Sequence, residues 1–147
     1  MATTTATITL SSSDISDNSL SISNTATLTN QGTDTGMTKT TGLTRIITKA
    51  TSNVILINTG DTSGNYGAAA LGADNTINKG KIFIQNLNDR GDGSKYVTVL
   101  MQAVVIGRLY GGDFAYFPFQ GTAGGDDIEI TPNSTTETTL EYIVFYE

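Results

Sequence analysis

The sequence predicts an all-β fold, a jelly-roll-like β-sandwich of about nine strands, and three observations support this prediction. First, the chain of 147 residues contains 26 threonines, many of which alternate with Ile, Leu, Val or Ala. Such alternation places apolar side chains on one face of a strand and hydroxyls on the other. Second, glycine is abundant at 16 residues while proline is limited to 2, which favours turns over helices. Third, apolar segments recur at intervals of roughly 8–12 residues, as in sandwiches and jelly rolls.

The first half of the chain contributes four candidate strands. The alternation is clearest in the first, where Ile8 and Leu10 share a face with threonines between them. Asn24 interrupts the apolar row of the second strand and predicts a bend or bulge. The segment 59–78 begins as a loop, and its Ala-rich part at 68–71 fits either a helical turn or a short edge strand. The four strands cover residues 3–10, 20–28, 43–50 and 53–58.

The second half of the chain contributes six further segments with strand character. The first two form a hairpin around 88–94, where Asp-Gly supplies the positive φ of a tight turn. Pro118 would block hydrogen bonding on one side of its strand. Ile143 and Phe145 make the last strand apolar on both faces, which indicates a central position or an interface. The six segments cover residues 81–87, 96–102, 103–110, 114–119, 128–131 and 138–146.

Length favours a single domain, so we expect one sandwich over 1–147, with 1–12 either an edge strand or an N-terminal arm. The net charge is −6, from 14 acidic and 8 scattered basic residues. Nucleic-acid binding needs a basic stripe that displaces counterions, so we expect no nucleic-acid partner. The longest apolar stretch, 97–107, is interrupted by polar residues and too short to cross a bilayer, so we expect no membrane partner.

Histidine and cysteine are both absent from the sequence. Their absence removes the commonest general base, the commonest metal ligand and the best thiolate nucleophile. A serine or threonine nucleophile would need an activating base, and no phosphate-binding or dinucleotide motif is present. We therefore expect no enzymatic activity, no catalytic residue, no metal site and no cofactor.

An acidic cluster is the one candidate for ion binding. Asp126, Asp127 and Glu129 follow a glycine-rich turn, and Asp113 lies one hairpin away. Carboxylates on loops can bind Ca²⁺, but the fixed spacing of an EF-hand loop is missing. A solvated acidic loop is favoured over a Ca²⁺ site at 126–129, and the sequence leaves both open.

The tripeptide Arg90-Gly91-Asp92 is known from cell-adhesion ligands. Here it stands at the tip of a predicted hairpin, among residues that favour turns. A solvated turn is therefore the favoured interpretation.

The most specific segment of the sequence is 106–119, with the residues IGRLYGGDFAYFPF. Gly112-Asp113 followed by Pro118 resembles the turn that opens the second half of cupin-type jelly rolls. The metal-binding histidine of that family has no counterpart here, so this resemblance implies geometry alone.

The same segment, together with 6–28 and the ending EYIVFYE, resembles small virion structural proteins of marine tailed bacteriophages. In that family, Thr-rich strands precede an Ile-Gly-Arg-Leu-Tyr-x-Gly-Asp turn, an aromatic-Pro strand and a short acidic-aromatic tail. The resemblance spans most of the chain, and 59–78 matches least. It implies a β-sandwich that sits on or in the virion, assembled in the host cytoplasm, without catalytic chemistry.

These observations predict a non-enzymatic virion protein, foremost a capsid decoration or cement protein. Its expected partners are the major capsid protein or other virion proteins, and we expect a homo-oligomer, with a trimer favoured. Exposed strand edges and apolar surfaces associate unless they are covered. The candidate interface residues are Phe114, Tyr116, Phe117, Phe119, Ile143, Phe145 and Tyr146.

Two alternatives stay open at this point. The first is a tail, adaptor or fibre-associated structural protein, since the motif does not distinguish capsid from tail. The second is a carbohydrate-binding module, which would need an exposed aromatic platform at Tyr66, Tyr110 or Tyr116.

Overall fold

The computed structural model describes residues 4–12, 20–29, 36–37, 39–49, 52–59, 69–70, 80–120, 125–133 and 137–146. These residues form strands, turns and bends without a helix, which confirms the predicted all-β class. Among them, no helix is long and apolar enough to cross a bilayer. The strands are β1 (Thr5–Ser12), β2 (Leu20–Thr27), β3 (Lys39–Thr40), β4 (Thr44–Thr48), β5 (Val54–Thr59), β6 (Ala69–Ala70), β7 (Gly80–Asn86), β8 (Val97–Met101), β9 (Val104–Leu109), β10 (Phe114–Phe119), β11 (Gly125–Pro132) and β12 (Thr138–Tyr146).

The chain divides into two compact units, Met1–Thr38 and Lys39–Glu147, which we call the hairpin unit and the sandwich unit. In the hairpin unit, β1 pairs with β2 in an antiparallel register that runs without a shift. The bend predicted at Asn24 is therefore absent, and this residue pairs with Ile8 in the regular ladder. The N-terminal segment is thus a paired strand, while a single domain over 1–147 stays a prediction.

The sandwich unit contains two sheets. The first has the order β10-β7-β12, and both β3 and β4 pair with the other edge of β12. Gly42, with a φ of +71°, turns the chain between these two short strands. The second sheet has the order β6-β5-β11-β8-β9. All pairs are antiparallel except β5 with β6, so the segment at 68–71 supplies an edge strand rather than a helical turn.

The core lies between the two sheets and follows the predicted alternation. In β7 and β12, alternate residues are buried, because successive side chains point to opposite faces of a strand. These strands bury Ile82, Ile84, Leu140, Tyr142 and Val144. The second sheet contributes side chains of β5, β8, β9 and β11 to the same cluster. The predicted β-sandwich is confirmed by this two-sheet arrangement.

Two local features match the sequence prediction. Pro118 lies in β10, which pairs with β7 alone among the described strands, so the missing N–H costs no ladder hydrogen bond. The boundary predicted between 96–102 and 103–110 is a tight turn from β8 to β9. Gln102 and Ala103 form this turn with φ values of +50° and +63°.

Candidate interaction surfaces

The outer face of the first sheet carries a continuous apolar surface. Phe83 of β7 lies opposite Tyr116 of β10 on one side and Ile143 of β12 on the other. Directly opposed residues of an antiparallel pair share a face. Phe114 and Phe145 join the same face, two residues along their strands from Tyr116 and Ile143. We call these five residues the aromatic face.

The aromatic face is partly open to solvent. The Phe114 side chain is 55% exposed, and its ring stacks on Phe83 with centroids 5.9 Å apart. Phe83, Tyr116, Ile143 and Phe145 are half-buried by their cross-strand neighbours. Large exposed apolar patches are typical of interaction sites, so the aromatic face is a candidate for one.

The hydroxyl group of Tyr116 is shielded from water. It is buried and has no hydrogen-bond partner among the described residues. Burial also raises the pKa of the Tyr116 phenol above its ordinary value, because the phenolate is poorly solvated there.

Polar side chains border the aromatic face on one side. Arg45 of β4 pairs with Glu141 of β12, and its Nε donates a hydrogen bond of 2.8 Å to the Glu141 carboxylate. Gln85 lies opposite both Glu141 and Phe114. A charged row beside an apolar patch is the usual arrangement of rim and core in an interface.

The structure separates the seven predicted interface residues into two groups. Four of them, Phe114, Tyr116, Ile143 and Phe145, lie on the aromatic face. Phe117, Phe119 and Tyr146 lie on the opposite side of their strands and pack in or against the core. Phe119 is only 5% exposed, and its ring covers Gly80 so closely that a Cβ there would overlap it. Only four of the seven predicted interface residues therefore lie on the outer face of the sheet.

Phe83 is the residue that sequence reasoning missed. It stands in the apolar run Ile82-Phe83-Ile84, whose outer neighbours on the adjacent strands are also apolar. A continuous apolar run indicates a strand covered on both faces. That signal could have added Phe83 to the candidate interface residues. Ile47, which is exposed on the outer face of β4, could have been added as well.

A second apolar surface lies at the edge of the second sheet. Val104, Val105 and Ile106 of β9 are all exposed. Among the described strands, β9 pairs with β8 alone, so its other edge presents free backbone groups. A register shift between Val99 and Leu100 of β8 interrupts this pairing, and such irregularities protect an edge from uncontrolled extension.

A buried asparagine joins the two sheets at one end of the sandwich. Asn86 is fully buried, and its Nδ2 donates to the carbonyls of Lys95, at 2.9 Å, and Leu109, at 3.0 Å. Its Oδ1 accepts from the backbone N–H of Asn88, at 3.0 Å. Its backbone pairs with Gly112 and Asp113 through two hydrogen bonds of 2.9 Å. We call this network the Asn86 junction.

The Asn86 junction explains the Gly111-Gly112-Asp113 part of the specific segment 106–119. A Cβ on Gly111 would lie 2.6 Å from the Asp89 carbonyl carbon, so only glycine fits there. Gly112 has a φ of +78°, which glycine adopts without strain. Asp113 closes the turn by accepting a hydrogen bond of 3.0 Å from the Tyr110 N–H. These residues therefore build the end of the sandwich.

The charged side chains of Arg90-Gly91-Asp92 are engaged within the protein, Asp92 in its own turn and Arg90 on the turn between β9 and β10. Arg90 donates to the Gly112 carbonyl at 3.2 Å and lies 3.8 Å from the Asp113 carboxylate. Asp92 accepts from the Ser94 N–H, at 3.1 Å, and from its hydroxyl, at 2.5 Å. The hydrogen bonds from Ser94, followed by the charge of Lys95, lower the Asp92 pKa. This geometry agrees with the turn interpretation.

In the acidic cluster, Glu129 is engaged inside the protein. It is buried in β11, and its Oε2 accepts a hydrogen bond of 2.6 Å from Asn53 Nδ2. The side chains of Asp126 and Asp127 lie outside the described part of the structure. Within that part, no group of three or more His, Cys, Asp or Glu residues could hold a metal ion.

One tyrosine forms an exposed aromatic platform. Tyr110 is 43% exposed, and its ring centroid lies 5.3 Å from that of Tyr96 in a tilted arrangement. The Arg108 guanidinium lies 4.6 Å from the Tyr96 ring centroid. Of the other two predicted platform residues, Tyr116 belongs to the aromatic face and Tyr66 lies outside the described residues.

No protein-family model, no curated protein and no solved structure matches this chain.

Proposed function

We propose that this protein is a non-enzymatic structural component of a bacteriophage particle, where it decorates and cements the capsid shell. The observation that carries the proposal is the aromatic face. Five aromatic or aliphatic side chains on three adjacent strands form a partly exposed surface on a chain with a net charge of −6. An apolar patch of this kind is suited to a permanent contact with another protein.

The strand order supports the same proposal. Apart from the two-residue strands β3 and β6, the sandwich unit has eight strands in the orders β4-β12-β7-β10 and β5-β11-β8-β9. β4, the first of these eight strands, thus pairs with β12, the last. Strands that follow each other in the sequence lie in different sheets, with the exception of β8 and β9. We infer a jelly roll from this order, an architecture of viral capsid domains, lectins and cupins.

In this function the aromatic face binds the major capsid protein. Phe114 and Phe83 form a stacked, partly exposed pair that can enter an apolar depression of the shell, as aromatic anchors do in other interfaces. Arg45 and Glu141 form the polar rim beside them. Copies of the chain associate as a trimer.

Labelling of intact particles tests this proposal. Particles from the culture that produces the protein are labelled with an antibody raised against the purified chain. We expect label over the whole head and a copy number that is proportional to the shell protein in quantitative mass spectrometry. Label at a single vertex, with far fewer copies, would instead support the tail, adaptor or fibre alternative, and absence from the particles would refute both.

Glycan binding is the second candidate function, and exposed Tyr110 is the observation that favours it. An aromatic ring with charged neighbours such as Arg108 is a common platform for sugar rings. A glycan array decides this candidate. We expect wild-type signal to be lost in Tyr110→Ala and retained in Phe114→Ser if the platform binds sugars. An array without any signal removes the candidate.

A further inference from the structure

The outer face of the second sheet carries a cation that lies over an aromatic ring. Leu109 of β9 is buried, so Arg108 and Tyr110 on either side of it point away from the core. The Arg108 guanidinium lies 4.6 Å from the ring centroid of Tyr96, which directly precedes β8. Tyr110 contacts the same ring, with centroids 5.3 Å apart. We call Tyr96, Arg108 and Tyr110 the tyrosine–arginine site.

The Arg108 guanidinium keeps its hydrogen-bond donors available to a ligand. A cation–π contact places the charge over the ring and uses none of the guanidinium N–H groups. Arg108 is exposed, and among the described residues its guanidinium has no hydrogen-bond acceptor and no carboxylate partner. The Tyr96 ring thus holds in place a positive group whose donors are not used within this part of the chain.

A carboxylate is the group that complements this guanidinium. The planar fork of N–H donors matches the two oxygens of a carboxylate, and such charged pairs form strong hydrogen bonds. Asp113, in the turn after β9, does not neutralise Arg108. Its carboxylate accepts a hydrogen bond of 3.0 Å from the Tyr110 N–H and lies 3.8 Å from Arg90. A carboxylate on Arg108 therefore has to come from a ligand.

Tyr110 places an exposed aromatic ring beside that charge. Residues two apart on a strand share a face, with their Cα atoms about 6.7 Å apart. Tyr110 is 43% exposed, so its ring is accessible to a ligand. The apolar C–H face of a pyranose ring can pack on such a side chain. A sugar ring against Tyr110 can thereby direct a carboxylate substituent toward Arg108.

Hydroxyl groups continue this face across the sheet. Thr98 of β8 lies opposite Arg108 on one side and Thr131 of β11 on the other. Opposed residues share a face, and both threonines are half-buried. The Thr131 hydroxyl donates a hydrogen bond of 2.6 Å to Asn53 Oδ1, so its oxygen can still accept one. A polar row of this kind suits the hydroxyls of a sugar, whereas the centre of a protein interface is mainly apolar.

The tyrosine–arginine site and the aromatic face lie on opposite sides of the sandwich unit. The site belongs to the outer face of the second sheet, and the aromatic face is the outer face of the first, with the core between them. A copy that binds the shell through its aromatic face therefore presents the tyrosine–arginine site on the side away from the shell.

We propose that the tyrosine–arginine site binds a carboxylated sugar, with the pyranose ring against Tyr110 and the carboxylate on the Arg108 guanidinium. Tyr96 holds the guanidinium in position, and Thr98 with Thr131 forms hydrogen bonds to sugar hydroxyls. The inference rests on the glycan-binding candidate above and names its class of ligand.

Calorimetric titration of the full chain with oligogalacturonate tests the proposal. The fully methyl-esterified oligomer is the matched control ligand, because it has the same rings without the charge. We expect the acid to bind at least about tenfold more tightly than the ester, since the ester cannot form the charged hydrogen bonds. Equal affinities would overturn the carboxylate assignment, and so would tighter binding of dextran sulfate. Equally tight binding of a polyglutamate peptide would overturn the assignment to a sugar.

Two substitutions of Arg108 separate its charge from its geometry. Arg108→Gln removes the charge, and Arg108→Lys keeps the charge but lacks the forked donors. We expect Arg108→Gln to weaken binding of the acid at least about tenfold and to abolish its preference over the ester, with Arg108→Lys between the two. Lys49→Gln is the matched control, because it removes one positive charge at an exposed position beyond β4. An equal loss in Lys49→Gln would refute the site, and thermal unfolding shows that each variant is folded.

The outcomes separate this inference from the glycan-binding candidate. Binding of neutral glycans alone, retained in Arg108→Gln, would keep the candidate and refute the carboxylated sugar. Absence of binding to any glycan would refute both and leave capsid decoration untouched.

Discussion

The side-chain amide of Asn86 in β7 donates a hydrogen bond of 3.0 Å to the carbonyl of Leu109 at the end of β9. This bond connects the first sheet to the second. The same nitrogen donates to the carbonyl of Lys95, just before β8. Backbone carbonyls that are withdrawn from water need a hydrogen-bond donor, and a buried side-chain amide can supply it. Asn86 does so at the end of the sandwich where three loops meet.

Replacing Asn86 by alanine should therefore destabilise the sandwich strongly. The change leaves the Lys95 and Leu109 carbonyls without this donor, and the expected loss in the free energy of unfolding is about 3 kcal/mol. Urea denaturation measures it. Asn133→Ala is the matched control, because that exposed amide donates to a single carbonyl, and its effect should stay within about 0.5 kcal/mol. Similar losses in the two variants would contradict the role of the junction.

Gly111 and Gly107 of the segment 106–119 differ in the space that surrounds them, and this difference gives a second prediction. In Gly111→Ala the new methyl group would meet the backbone of Asn88 and Asp89, with the Asn88 carbonyl oxygen at 2.8 Å. We expect a loss of about 3 kcal/mol or a failure to fold. In Gly107→Ala nothing lies within 4 Å of the new Cβ, so stability should hold or rise slightly. Thermal unfolding of the two variants compares them, and equal midpoints would refute the packing argument.

Phe114 and Phe119 belong to one strand but to opposite faces, which predicts opposite consequences of their removal. Phe119→Ala removes a core side chain and should cost about 3–5 kcal/mol of stability. Phe114→Ser removes a 55% exposed side chain, so it should cost less than about 1 kcal/mol while abolishing binding to particles. Chemical denaturation and cosedimentation with particles separate the two effects. A large loss of stability in Phe114→Ser would show that its ring supports the fold.

Tyr116 predicts a loss of stability at high pH. Its pKa in the folded protein is raised above the unfolded value by burial. For such an acid, the stabilising contribution is complete below the unfolded pKa of about 10 and is lost as the pH rises through the folded pKa. Tyr116→Phe lacks this ionisation, so it should unfold at higher pH than wild type. Tyrosinate absorbance and urea midpoints measured across that range check the prediction, and identical alkaline unfolding would contradict it.

The turn between β8 and β9 offers a stabilising substitution. Ala103 has a φ of +63°, a conformation that costs a residue with a Cβ roughly 1 kcal/mol. Ala103→Gly should therefore raise the free energy of unfolding by about that amount, as glycine is favoured in such hairpin turns. Ala115→Gly, in the regular strand β10, should lower it instead. Guanidinium denaturation of both variants tests the opposite signs.

Local alternation made the strands and their buried faces predictable. In β12, Leu140, Tyr142 and Val144 share one face of the strand, and the structure buries that row. The period of two is a property of one strand, so it can be found without knowledge of the neighbours. The strand order was beyond such reasoning, because it depends on which strands meet after the chain has crossed between the sheets.

The aromatic face was only partly predictable for the same reason. Between 114 and 119 the sequence is aromatic at four of six positions, and these fall on both faces, so alternation does not say which side chains face outward. The register of β10 on β7 decides it, since Phe117 lies opposite buried Ile82 and Tyr116 lies opposite Phe83. Pairing between strands that are distant in the sequence therefore determined the division of the candidate interface.

The close approach of Gly111 to the backbone of Asp89 also bears on how relatives of this chain can be found. A sequence search with the motif Gly-Arg-Leu-Tyr-Gly-Gly-Asp would find proteins in which loops meet at a buried side-chain amide like that of Asn86. It would find them regardless of what they bind. A shared binding partner would instead be reflected in the outward-pointing positions of β7, β10 and β12, where the aromatic face lies.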